Sequence, residues 1–225
     1  MADLTGEAVA TRLAGVRSRI AAAGGRPDEI RIVAVTKGFG PDAVRAATQA
    51  GCEDVGENYA QELLAKADAI SDSGARLHFL GGIQRNKVGR LAPLVGLWQS
   101  VDRLEVGESI ARRSPGARLL VQVDLSEGAP AGRGGVPLES APPLVEQLRN
   151  LGLAVDGLMA VGPPPPADPE PGFRNVVALA RQLALPEVSI GMSGDLEAAV
   201  RSGSTMVRIG TALFGPRPQD LATES

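Results

Sequence analysis

Apolar positions Leu4, Ala8, Val9, Leu13, Val16 and Ile20 recur at close to a 3.6-residue spacing. Residues 3–23 are therefore expected to form one amphipathic helix, ended by Gly24, Gly25 and then Pro27. A different pattern follows. Ile32 to Thr36 is short, unbroken and rich in β-branched residues, which predicts a buried parallel strand ending at Lys37 and Gly38. The same alternation then runs along the chain. Short segments at 54–56 (the weakest), 77–80, 97–101, 118–123, 155–159, 188–190 and 206–209 read as strands. Helical spacing covers 41–50, with Pro41 suited to the first turn, then 58–70, 84–92, 103–113, 138–150, 172–183, 194–202 and a short turn or helix at 211–214.

Eight strand-then-helix units in 225 residues predict an α/β protein, a single (β/α)8 TIM barrel with an extra N-terminal helix. An open doubly wound sheet also alternates β and α, but the count of eight and the preliminary helix favour the closed form. Residues 1–225 are expected to be one domain with its core at about 31–217. Two stretches break the rhythm: Gly128 to Gly135, and the proline-rich Pro163 to Pro171. Each follows a predicted strand, so both read as long loops on the barrel's C-terminal face and not as domain linkers.

Composition narrows the function. Lys and Arg number 23 against 26 Asp and Glu, a net charge of −3 that offers no basic field for nucleic acid. No stretch has the length of apolar sequence needed to span a membrane, and Met1 to Ala10 lacks a secretory signal. A cytoplasmic protein, a monomer, is expected. One cysteine, Cys52, excludes an internal disulfide, and one histidine, His78, makes a histidine-rich metal site a poor reading, so no metal is expected. The three lysines, Lys37, Lys66 and Lys87, can be weighed one by one.

In a barrel of this kind the chemistry gathers at the C-terminal ends of the strands. Lys37 sits at such an end. Burial there would lower its pKa and make it a nitrogen nucleophile, whereas a strand-end amine reaching solvent would look the same in sequence. Lys66, mid-helix, reads as a solvated residue, and Lys87 as surface charge. Gly191 to Asp195 and Val207 to Thr211 join the last two strands to their helices, with Ser193 placed as an N-cap. Loops at those positions commonly hold phosphate in this fold. Arg208, a strand arginine turned inward, needs a partner, and a ring nitrogen would serve. A lysine Schiff base, a phosphate cup and an arginine at a ring nitrogen together fit pyridoxal 5'-phosphate. The cation would leave the pyridine nitrogen unprotonated. Glu57, Asp102 and Asp124 read as caps or loop contacts.

The segments Ala34 to Lys37, Gly56 to Glu62, His78 to Lys87, Gly191 to Val200 and Gly203 to Arg217 resemble the pyridoxal phosphate homeostasis protein family, in order and at family spacing. The resemblance implies a barrel like the N-terminal domain of alanine racemase and a role in holding pyridoxal phosphate and supplying PLP-requiring apoenzymes, without a dedicated catalytic turnover. It implies Lys37 as the Schiff-base lysine, Ser193, Gly210 and Thr211 at the phosphate, and Arg208 at the pyridine nitrogen. Asn58 and Met192 would line the pocket, with His78 near the ring. Arg133 stands where the family usually has a lysine. The alternative is a PLP-dependent amino-acid racemase, which needs an acid–base group on each face of the substrate carbon. Its fold relatives take the second from a tyrosine of an added β-domain, and this chain has only Tyr59. A cofactor-free aldolase-type barrel would leave the purified protein colourless.

Overall fold

The computed structural model describes residues 4–126 and 134–217. Eight parallel strands close into a barrel in chain order: β1 Arg31–Val35, β2 Asp54–Glu57, β3 Arg76–Phe79, β4 Leu97–Val101, β5 Arg118–Val123, β6 Ala154–Ala160, β7 Glu187–Ser189 and β8 Met206–Ile209. The first and last strands pair with Arg31 opposite Met206 and Ala34 opposite Ile209. That pairing excludes the open sheet. The loop carrying Arg133 and most of the glycine-rich stretch at 128–135 lies outside the described residues.

Alternation along each strand sorts the side chains into two cores. Val33, Leu97, Leu120, Met159 and Met206, from five strands, meet one another inside the barrel as a small apolar plug. The residues between them face outward and join the larger core beneath the helices, with Trp98, Phe79, Leu119 and Leu158 fully or almost fully buried. Because Val33 points inward, the parity of β1 sends Lys37, two turns of the pleat later, into the barrel mouth.

The helices are α1 Gly6–Ala22, α2 Pro41–Gln49, α3 Ala60–Ala65, α4 Ala67–Ser73, α5 Val88–Leu91, α6 Leu104–Arg113, α7 Ala141–Asn150, α8 Glu170–Gln182, α9 Leu196–Ser202 and α10 Thr211–Phe214. The extra N-terminal helix is α1. Its Thr5 cap accepts the Ala8 N–H at 3.3 Å, and Val9, Leu13, Val16 and Ile20 form its buried stripe. Pro41 opens α2 as expected.

Three elements differ from the sequence expectation. The helix expected over 58–70 is two helices broken at Lys66, whose φ of −106° and ψ of 4° leave the helical region. Lys66 is also not solvated. It is 3% exposed, drawn inward to Glu57. The helix expected over 84–92 keeps only its last turn, Val88–Leu91; ahead of it the Lys87 and Val88 N–H groups make tighter three-residue turns to Gln84 and Arg85, and side chains of the next unit add bonds there. Arg103 donates to the Ile83 carbonyl at 3.0 Å and Ser109 to that of Arg85 at 3.3 Å. Finally, Ser193 is not the N-cap of α9. Asp195 holds that position, and its carboxylate accepts the Met192 N–H.

Candidate functional site

The strand end that carries Lys37 is gripped on both sides. Thr36 donates its hydroxyl to Glu57 Oε1 at 2.6 Å, and its carbonyl accepts Lys66 Nζ at 2.8 Å. Lys66 also reaches Glu57 Oε1 at 2.5 Å and Glu62 Oε2 at 3.4 Å. Glu62 Oε2 in turn accepts the Gly38 N–H at 2.7 Å. Gly38 has a φ of 77°, a left-handed turn that a side chain would strain, and the Arg217 side chain crosses it. Lys37 is thus fixed by its two neighbours while its own ammonium takes no part in the network.

That amine is half-buried and makes no hydrogen bond or ion pair among the described residues. Burial pushes its pKa down, and the charges of Arg217 and Arg208 push it further; Glu57 and Glu62 oppose them. Glu57 itself is fully buried, which raises its carboxyl despite Lys66 and Thr36, and its Oε2 has no hydrogen-bond partner among the described residues.

Arg208 lies across the C-terminal ends of β6 and β7. It donates to the Ser189 carbonyl at 2.7 Å, to the Ser189 hydroxyl at 2.8 Å and to the Ala160 carbonyl at 2.8 Å. All three acceptors are neutral. Burial lowers its pKa to about 10, with Asp195 opposing from a distance. A buried guanidinium that pairs with no described carboxylate leaves a positive field in the mouth.

Ser193 accepts the Ala212 N–H at 3.2 Å, tying the β7–α9 loop to the start of α10, where Gly210 and Thr211 lie. The extra helix secures this junction from outside. Arg19 of α1 donates to the Ser193 carbonyl at 3.0 Å while bridging Glu197 through two bonds of 2.7 and 2.9 Å. Arg12 donates to the Leu213 carbonyl at 3.1 Å.

Asn58 follows β2 at the level of the mouth, two residues beyond Gly56, and its side-chain Oδ1 is buried without a hydrogen-bond partner among the described residues. Its backbone presses on Gly81: a Cβ there would stand 1.8 Å from the Asn58 carbonyl oxygen. Beside it opens a cleft of about 300 Å³ lined by Asn58, Tyr59, Gly82, Gln84 and Lys87 among others. Met192 is 36% exposed on the opposite rim. His78 pairs with Gly56, one inward position below Asn58, and its ring nitrogens turn to Asp54 and Gln99, not to the mouth. The structure therefore gathers Lys37, Arg208, Ser193, Gly210, Thr211 and Asn58 around the C-terminal opening and sets His78 beneath them. Asp102 pairs with Arg103, and Asp124 accepts from Ser126, loop contacts of the expected kind.

The family described as alanine racemase, N-terminal domain, matches residues 7–218. The chain is 38% identical over 221 residues to the pyridoxal phosphate homeostasis protein of Pseudomonas aeruginosa, covering 94% of this chain and 95% of that one. It is 35% identical over 233 residues to the protein of the same name from Escherichia coli K12, at 93% and 97% coverage. The chain belongs to the pyridoxal phosphate homeostasis protein family. Among solved structures, PipY of Synechococcus elongatus with PLP bound superposes with a TM-score of 0.77 at 30% identity, over 92% of this chain and all of PipY. Alanine racemase of Bacillus anthracis, at 18% identity and a TM-score of 0.70 over 96% of this chain and 57% of its own, shares the barrel.

Four side chains of this family member support the mouth without being read so from the sequence: Lys66, expected to be solvated, and Glu62, Arg217 and Arg19, which the sequence does not single out. Lys66 and Glu62 carry a weak signal, since their i, i+4 spacing places both on one helix face. Arg19 carries none, its partner Glu197 being far away in the chain. The Arg19–Glu197 pair is 37% and 40% exposed, so Arg19→Ala is expected to cost under about 1 kcal/mol of stability. Its larger effect falls on Ser193. Anion affinity at the mouth should drop severalfold with little change in melting temperature, as fluorescence titration with pyridoxal phosphate and a thermal melt would measure together.

Proposed function

We propose that this protein binds pyridoxal 5'-phosphate at the barrel mouth and serves as an intracellular carrier of it. The observation that carries the reading is the pairing of a pKa-depressed amine, Lys37, without a hydrogen-bond partner among the described residues, with a buried guanidinium, Arg208, whose hydrogen bonds among those residues all go to neutral oxygens. The names of the relatives and the bound state of PipY support it.

When bound, the cofactor supplies an aldehyde carbon that a lysine amine attacks with release of water. The residues of this chain do the rest. Burial and two nearby arginines disfavour the Lys37 ammonium, which makes its neutral amine more accessible than that of a free lysine. Arg208 would offer a charged donor to a ring nitrogen and, being a cation, would disfavour a proton on that atom. Ser193, Gly210 and Thr211 receive the phosphate at the junction of the last two units, with polar N–H and hydroxyl groups close at hand. Asn58 supplies its unpartnered Oδ1, and Met192 covers the rim.

A carrier fits better than a racemase. Two-base racemization needs an acid–base group facing the lysine across the substrate, and Tyr59 is 55% exposed on the outer cleft. The test is to add pyridoxal phosphate to the purified protein, record the near-visible band, trap with borohydride and map the labelled peptide. The label is expected on Lys37. A label on Lys66 or Lys87 alone, or rapid racemization of L-amino acids by chiral detection, would reject the reading.

A further inference from the structure

A chain of buried polar side chains runs through the barrel lumen beside the apolar plug, and the roles described so far do not use it. From the mouth downward it passes from Arg208 to Ser189 at 2.8 Å, Ser189 to Gln99 at 2.7 Å, Gln99 to His78 at 2.6 Å, and His78 to Asp54 at 2.9 Å. We propose that His78 is a positioning residue: held neutral with its proton on Nε2, it completes a one-directional hydrogen-bond chain from Asp54 that fixes the Arg208 guanidinium at the mouth. The inference rests on the reading of Arg208 as the group that faces the bound ring.

The direction of every bond follows from Arg208. A guanidinium only donates, so the Ser189 oxygen accepts there. The single hydroxyl proton of Ser189 then goes to Gln99, which must present its carbonyl oxygen. The amide NH2 of Gln99 is left to face His78 Nδ1 and, at 3.0 Å, the Met206 sulfur. Nδ1 must therefore accept, and the ring proton sits on Nε2, where it is donated to Asp54.

The far end is anchored by charge. Asp54 lies 3.4 Å from Arg76 and 3.7 Å from Arg31, and Arg31 pairs with Glu187 at 2.9 Å. Burial alone would raise the Asp54 carboxyl, but the His78 bond and the two arginines hold it below its usual range. Burial pushes His78 down, with Arg31 and Arg76 adding to this and Asp54 opposing. A protonated His78 would also meet the Gln99 NH2 donor to donor. Relieving that clash needs the amide to turn over, which leaves the Ser189 proton without an acceptor.

His78 is the one histidine, so its ring gives a single pair of nitrogen signals. In the ligand-free, 15N-histidine-labelled protein, long-range proton–nitrogen correlation is expected to show Nε2 protonated and Nδ1 bare at neutral pH. The other tautomer, or a ring averaging between the two, overturns the proposal. With pyridoxal phosphate added, His78→Leu should weaken binding about tenfold, the effect of losing roughly one buried hydrogen bond, and shift the near-visible band. His78→Asn keeps an acceptor toward Gln99 and should recover most of both. A folded His78→Leu with wild-type affinity and band overturns the proposal. If His78→Leu does not fold, Ser189→Ala, cutting the chain beside Arg208, must shift the band and weaken binding, and a wild-type response overturns it. A wild-type protein with no band at all would reject the carrier reading instead, and the tautomer measurement then decides the chain alone.

Discussion

Lys37→Ala is expected to abolish the near-visible band that pyridoxal phosphate develops with the wild-type protein, together with the borohydride-trapped label. No other lysine replaces it. Lys66 is committed to Glu57 and the Thr36 carbonyl, and Lys87 lies on the wall of the outer cleft. Lys87→Ala should therefore leave the band intact. The same amine gives a pH test with a definite sign. Arg217 and Arg208 disfavour the ammonium, so Arg217→Ala removes one repulsion and the Lys37 pKa rises. At a fixed pH less free amine remains, and the pH profile of adduct formation moves upward. A band that survives Lys37→Ala, or a profile that moves downward in Arg217→Ala, contradicts the assignment.

The second large effect concerns folding. Lys66→Met leaves the Glu57 carboxylate buried without its cation and beside Glu62, and breaking a buried pair from one side costs about 3–5 kcal/mol. For a protein of this length that is a fall in melting temperature of roughly 10 °C. Restoring neutrality with Glu57→Gln in the same chain should recover much of the loss, because the penalty comes mainly from the stranded charge. Since the Thr36 carbonyl loses its donor beside Lys37, the Lys66→Met protein should also bind pyridoxal phosphate more weakly. Calorimetry on the two single variants and the double variant checks the argument: equal losses that simply add would show that the two residues do not act as a pair.

Much of this was written in local pattern. β1 carries an unbroken apolar run from Ile32 to Val35, β4, β5 and β8 are short and mostly apolar, and with the remaining strand signals they give the eightfold alternation. Lys37 and Arg208 could be singled out because strand parity and strand ends are one-dimensional properties. Lys66 could not. Flanked by Leu64, Ala65 and Ala67, it looks like an ordinary helix residue, and only the tertiary approach of Glu57 and Thr36 draws it inward. Ser193 and Asp195 are both competent helix caps, and the choice between them was made by Ala212, which claimed the serine. The lumen chain is the extreme case: Asp54, His78, Gln99 and Ser189 come from four strands, and each alone reads as an isolated polar residue.

The pairing of Arg31 with Met206 has a consequence for how the molecule breathes. Lys37 extends from one side of that joint, while Ser193, Gly210 and Thr211 belong to the other. A ligand that engaged the amine at one end and the proposed phosphate junction at the other would be a staple between the first strand and the last. Its occupancy adds directly to the work of prising the first strand from the last. Emptying the mouth should loosen the barrel there before anywhere else, so vitamin supply and the local integrity of the fold become one quantity.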